Sequence, residues 1–153
     1  MPSLGLGQWY VVRTKSRREE VAQFHLQRKG LTVFFPRLLV PQSNSRRIHI
    51  VPLFPGYLFV QVQKSTEYDW VRWVPGVKDV VNFNGIPVPV DEEIVMFLRT
   101  QATPAGVLTE GSLLIIKHKA EGLNEPFTRL VNGFQRLYNS RTRVKVLLQL
   151  FEH

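Results

Sequence analysis

The segment 53–62, LFPGYLFVQV, constrains the fold more than any other part of the chain. After a Pro55-Gly56 turn signal, Tyr57, Phe59 and Gln61 alternate with Leu58, Val60 and Val62, the period of a β-strand. Both sides carry large apolar groups. One face must therefore pack on helices while the opposite face needs a second cover, which makes this a central strand.

The flanking sequence supplies those partners. Residues 9–13 (WYVVR) form an aromatic and β-branched run that reads as a buried strand. Ser16 offers an N-cap with Glu19 at capping-box spacing, Val21, Phe24, His25 and Arg28 follow on one helical stripe, and Gly30 is placed to close the helix, predicting helix 16–29. Residues 31–40 are β-rich but broken by Pro36 and Pro41, as in an edge or bent strand. The polar stretch 41–50 (PQSNSRRIHI) reads as a protruding hairpin tip. Ser65 or Thr66 opens a short helix through Trp70 and Trp73 that stops at Pro75-Gly76. A strand over 77–83 then meets a hairpin signal at Asn84-Gly85. Asp91 caps a helix with Ile94, Phe97 and Leu98 on one face. Beyond it, 102–109 (ATPAGVLT) has the small, uncharged, Pro/Gly-containing texture of a linker, placed at 102–110, so the expected domains are 1–101 and 111–153. The fold class is α+β, with helices on a mainly antiparallel sheet.

Charge narrows the functions available. The net charge is +8, and nine Lys or Arg between Arg13 and Arg47 face only Glu19 and Glu20, a local basic field suited to a polyanion. With no cysteine, thiolate metal sites and thiol chemistry are excluded. The four histidines, His25, His49, His118 and His153, are not at metal spacing, and no HExxH, GxSxG, Walker or GxGxxG motif occurs. Asp91, Glu92 and Glu93 read as helix-dipole partners. The expectation is a binding protein, not an enzyme, without cofactor or metal. The N-terminus lacks a signal-peptide pattern and no apolar run reaches membrane-spanning length, so a cytoplasmic monomer with no membrane contact is expected.

Taken together, WYVVRTKSRREEVAQFHLQRKG, PLFPGYLFVQV and WVRWVPGVKDVVNFNGIPVPVDEEI resemble the N-terminal domain of the NusG family of transcription elongation factors. The resemblance implies an α/β sandwich that binds the clamp helices of the RNA polymerase largest subunit through an aromatic hollow. The matching positions are Trp9, Tyr10, Phe54, Pro55, Tyr57 and Phe59, with Tyr57 and Phe59 as the partner-facing pair. A Phe/Tyr strand also reads as plain core. The RfaH-like branch further grips non-template DNA, a surface that maps onto Lys15, Arg17, Arg18, His25 and Arg72, with Arg46 and Arg47 on the hairpin. The same charged residues would equally serve as a solvated basic face, and a single-strand DNA- or RNA-binding module without a polymerase partner is the rival reading. The His-Thr-Thr type motif of that branch is missing at 66–68.

From Gly111 onward the chain is similar to the family's KOW domain through 125–127 (EPF), Asn132-Gly133 and 143–151 (RVKVLLQLF), which implies a small, degenerate β-barrel able to contact Rho or a small-subunit ribosomal protein. Val144, Val146, Leu148 and Leu150 alternate as in a strand, whereas Phe127, Leu130, Val131, Phe134, Leu137 and Tyr138 have helical spacing. The barrel-like form is expected, with a helical hairpin as the alternative. RfaH-like factors store this domain as such a hairpin over the clamp-binding hollow. The acidic side of their interdomain salt bridge maps to Val51, so that lock is absent.

Overall fold

The computed structural model describes residues 7–41, 47–63, 70–109, 140–149 and 151. In chain order the first elements are β1 (Gln8–Thr14), α1 (Glu19–Arg28), β2 (Thr32–Phe34), β3 (Arg37–Pro41), β4 (Ile48–Pro52) and β5 (Tyr57–Val62). These are followed by β6 (Val77–Val80), β7 (Asn82–Phe83), β8 (Ile86–Pro87), β9 (Pro89–Val90), α2 (Glu92–Gln101), β10 (Val107–Leu108) and α3 (Ser140–Gln149). The mixture is α+β. The chain divides into two compact units, Met1–Phe35 with Gly56–Val95 and Pro36–Pro55 with Met96–His153.

The first unit is built on an antiparallel sheet in the order β2-β5-β1-β6, with β9 also paired to β1. As the alternation at 57–62 requires, β5 lies inside the sheet, between β2 and β1. Its register sets Val60 opposite Tyr10 and Phe59 opposite Val11, so the two faces are chemically distinct. On one side Tyr10, Val12, Leu58, Val60 and Val62 join Ala22 and Leu26 of α1 in a single buried cluster. The other set, Trp9, Val11, Phe34 and Phe59, is buried as well, with the Phe34 and Phe59 ring centroids 5.9 Å apart. Each fully buried side chain of this size contributes about 1.5–3 kcal/mol relative to exposure, so the doubly covered sheet is the main source of cohesion.

Helix α1 starts later than the capping-box spacing predicts. Its N-cap is Arg18 and no side chain caps it. Arg17 holds φ 57° and the Arg18 N–H donates to the Lys15 carbonyl, so a turn occupies 15–18 and leaves Ser16 exposed ahead of the helix. Glu19 is buried, and its carboxylate accepts the Gly56 N–H at 3.3 Å, a long contact, instead of closing a box. The inward stripe is Glu19, Ala22 and Leu26; Phe24 and Arg28 are exposed. The C-terminus matches expectation. Gly30 has φ 90°, its N–H donates to the Gln27 carbonyl and the Leu31 N–H to the Leu26 carbonyl, the paired bonds of a Schellman ending. Asn84 and Gly85, both at positive φ, form the two-residue turn of the β7–β8 hairpin.

The second unit contains a three-stranded sheet in the order β10-β3-β4. Strands β3 and β4 form the expected hairpin, Arg37 opposite Pro52 through Pro41 opposite Ile48; its tip, with Arg46, lies outside the described residues. The stretch 102–110, expected as a linker, contributes β10, which runs parallel to β3. Main-chain bonding explains this: the Arg37 N–H donates to the Gly106 carbonyl at 2.9 Å and the Arg37 guanidinium to the Ala105 carbonyl. Helix α2 begins in the first unit and ends in the second. Asp91 caps it by accepting the Glu93 N–H at 2.9 Å.

The strand reading of 143–151 is corrected, because Ser140–Gln149 is helical. Arg143 and Leu147, four residues apart on one face, are its buried side chains among those described. The Arg143 Nε donates to the Leu53 carbonyl at 2.7 Å and a terminal nitrogen to the Pro52 carbonyl at 3.3 Å. Burial lowers the pKa of this guanidinium below its ordinary value. The EPF segment, Asn132-Gly133 and the periodic stretch 127–138 lie outside the described residues.

Candidate functional site

Two groups of residues carry the functional expectations. The first is aromatic. Trp9 and Tyr10 are successive on β1 and so point to opposite sides of the sheet: Tyr10 enters the core against α1, its hydroxyl donating to Gln8 at 2.8 Å, while Trp9 shares its face with Val11, Phe59 and Tyr57. Phe59 is 0% and Trp9 1% exposed, and Tyr57 is half-buried. In the second unit Phe54 is buried and Pro55 half-buried. An open hollow lined by all six residues was the expectation; four of them, Trp9, Tyr10, Phe54 and Phe59, are instead buried in this structure.

The second group is basic and lies in the first unit. Lys15, Arg17, Arg18 and Arg72 are exposed and His25 is half-buried. The segment that carries Arg72 meets the start of α1 at Gly76. Its φ is 86°, and a Cβ built there would stand 2.8 Å from the Ala22 nitrogen and 3.0 Å from the Arg18 carbonyl oxygen, so only glycine fits. The Lys15 N–H donates to the Gly76 carbonyl at 2.8 Å, and at the far end of α1 the Lys29 ammonium lies 5.8 Å from the Trp70 ring centroid. The segment 70–76 thus runs along α1 from its last turn to its first. Arg72 lies on this segment, between those two contacts.

The first unit also exposes two rings that the sequence reading did not assign to a site. Trp73 is 74% exposed, with the Arg72 guanidinium 5.1 Å from its centroid. Phe24 is 55% exposed, with Arg28 at 5.6 Å and the His25 ring edge-on at 5.2 Å. The signal was present as cation–aromatic spacing, FHLQR and WVRW. Arg13, on β1, is not part of the exposed set: it forms a bidentate pair with Asp79, which raises its pKa above the ordinary value chiefly through the hydrogen bond. Arg47 is exposed ahead of β4 in the second unit. Among the described residues no group of three or more His, Cys, Asp or Glu is placed to hold a metal ion, and no helix is long and apolar enough to cross a membrane.

Fold and surface define an α+β domain with a doubly covered antiparallel sheet and a basic, ring-bearing side suited to a polyanion. Residues 7–99 match the family model described as "Transcription termination factor nusG", and the chain belongs to that family of transcription termination/antitermination factors. It is 25% identical over 171 residues to the "Transcription termination/antitermination protein NusG" of Thermus thermophilus, covering 94% of this chain and 90% of that protein. The protein of the same name from Rickettsia prowazekii is 24% identical over 158 residues, covering 94% and 82%. Among solved structures, "Domain interaction in Thermotoga maritima NusG" is similar at 32% identity and a TM-score of 0.37, covering 56% of this chain and about half, 51%, of that one.

Proposed function

We propose that this protein is a specialised, RfaH-like elongation and antitermination factor that binds the RNA polymerase clamp helices and contacts non-template DNA, reducing pausing and termination. The observation that carries the reading is family membership over 7–99, supported by the exposure of Lys15, Arg17, Arg18 and Arg72 in the same unit. Phosphate contact by such side chains needs no catalytic group and gains affinity from counterion release. Clamp binding is assigned to the face of β5 that bears Tyr57 and Phe59, with Phe54 and Pro55 preceding it.

The burial of those rings is compatible with a factor that is activated before it binds. In the second unit α3 is fastened through Arg143 to the carbonyls of Pro52 and Leu53, immediately ahead of Phe54. A helical C-terminal segment held there favours the RfaH-like branch over a housekeeping factor, and contact with Rho or a small-subunit ribosomal protein would follow its release.

Transcription through a known pause, with and without the protein, tests the reading. Shorter pause dwell with wild type is expected, as is loss of polymerase pull-down by the folded Tyr57→Ala/Phe59→Ala double variant. Undiminished retention of that variant would refute clamp binding. The rival reading, a single-strand-binding module without polymerase, is favoured by the exposed rings of Phe24 and Trp73; it predicts nucleic-acid binding with no effect on pausing.

A further inference from the structure

Phe24 and Trp73 are exposed rings of the first unit that phosphate contact leaves unused. Both rings are largely in water although a deep core was available, and each carries a guanidinium over it. The same unit also exposes Lys15, Arg17, Arg18 and Lys29, with Glu20 as the exposed acid on α1. A polyanion satisfies the cations but gives the ring faces nothing, unless it also presents flat apolar surfaces. Duplex DNA keeps its base faces stacked inside and offers this side phosphates and groove edges alone. An unpaired strand offers both charges and bare base faces, which stack on aromatic side chains with little regard to sequence.

We infer that Phe24 and Trp73 are stacking platforms for unpaired bases of a single DNA strand. Arg28 and Arg72 turn from the rings to the flanking phosphates as the bases arrive. The inference rests on the DNA-contact reading above and deepens it, by assigning the preference for unpaired DNA to two rings instead of to charge. Charge alone would bind strand and duplex in proportion to their phosphate density.

The test is fluorescence anisotropy of the full chain with a labelled oligothymidylate, a labelled DNA duplex and a labelled oligouridylate, each over a range of salt. Trp73→Ala and Phe24→Ala are each expected to weaken oligothymidylate binding about tenfold, with salt slope and duplex affinity unchanged. Trp73→Phe should keep most of the affinity. Arg72→Ala should instead weaken strand and duplex together and lower the salt slope by about 1. Ring variants that melt like wild type and bind the strand equally well would overturn the stacking assignment while leaving the phosphate reading intact. Equal loss on strand and duplex would also overturn it. Wild type binding neither DNA would overturn both, and binding oligouridylate alone would overturn the assignment to DNA.

Discussion

Trp9 and Phe59 sit on neighbouring strands of the first unit and are sealed from solvent, whereas Phe24 and Trp73, in the same unit, stand in water. Residue type does not explain the difference; placement does. The sheet rings are fixed by a register that sets Val11 against Phe59 and leaves each strand no freedom to turn a side chain outward without moving its neighbours. Phe24 is on the side of α1 away from Ala22 and Leu26, and Trp73 lies in a turn held by backbone contacts at Gly76, so neither is needed for packing. Phe24 and Trp73 can therefore meet a partner without any change in the packing.

The contrast predicts a graded set of outcomes. Phe59→Ala should cost about 3–5 kcal/mol of folding stability, read as a large drop in the denaturant midpoint. A small loss would mean that the sheet face is looser than its burial implies. Gly76→Ala should cost about 1–3 kcal/mol for the positive φ, with the clash against Ala22 added, and, on the proposed DNA contact, should also weaken DNA binding by displacing the segment that carries Arg72. Retained DNA binding in a folded Gly76→Ala protein would separate the two halves of the basic surface. Arg143→Leu leaves two carbonyls without this donor, a cost of about 1–3 kcal/mol, and hydrogen exchange should show earlier opening of α3 while β1 and β5 stay protected. Trp73→Ala should change stability by no more than about 0.5 kcal/mol, the smallest effect of the four; a larger one would show that the indole packs after all.

Much of this was legible from residue pattern. The alternation at 57–62 located a strand with two covered faces, Gly30 marked the end of α1, and Asn84-Gly85 marked a hairpin, because each rests on local stereochemistry. What failed depended on contacts distant in the chain. Ser16 lost the cap because Arg17 turns left-handed and Glu19 is drawn to Gly56. Strand β10 owes its place to the main chain and guanidinium of Arg37, sixty-eight residues from Ala105, which a two-residue Val107-Leu108 run does not announce. At 140–149 it is the helical alternative that forms, and its inward face includes an arginine that alternation gives no reason to place inside. A buried cation looks like a solvated one in sequence, and the remaining valines and leucines fit period two as well as 3.6. The exposure of Lys15, Arg17, Arg18 and Arg72 follows from their charge, whereas which rings stand open does not follow from the sequence. Phe24 and Trp73 differ from Trp9 and Phe59 only in what the folded chain puts over them.

The reach of the Arg143 contact has a consequence for synthesis. Leu53 leaves the ribosome ninety residues before its guanidinium partner exists. At about 5–20 residues per second, that gap lasts roughly 5 to 20 s. The β3–β4 hairpin therefore lives the first seconds of every molecule without its C-terminal fastening, its carbonyls hydrated.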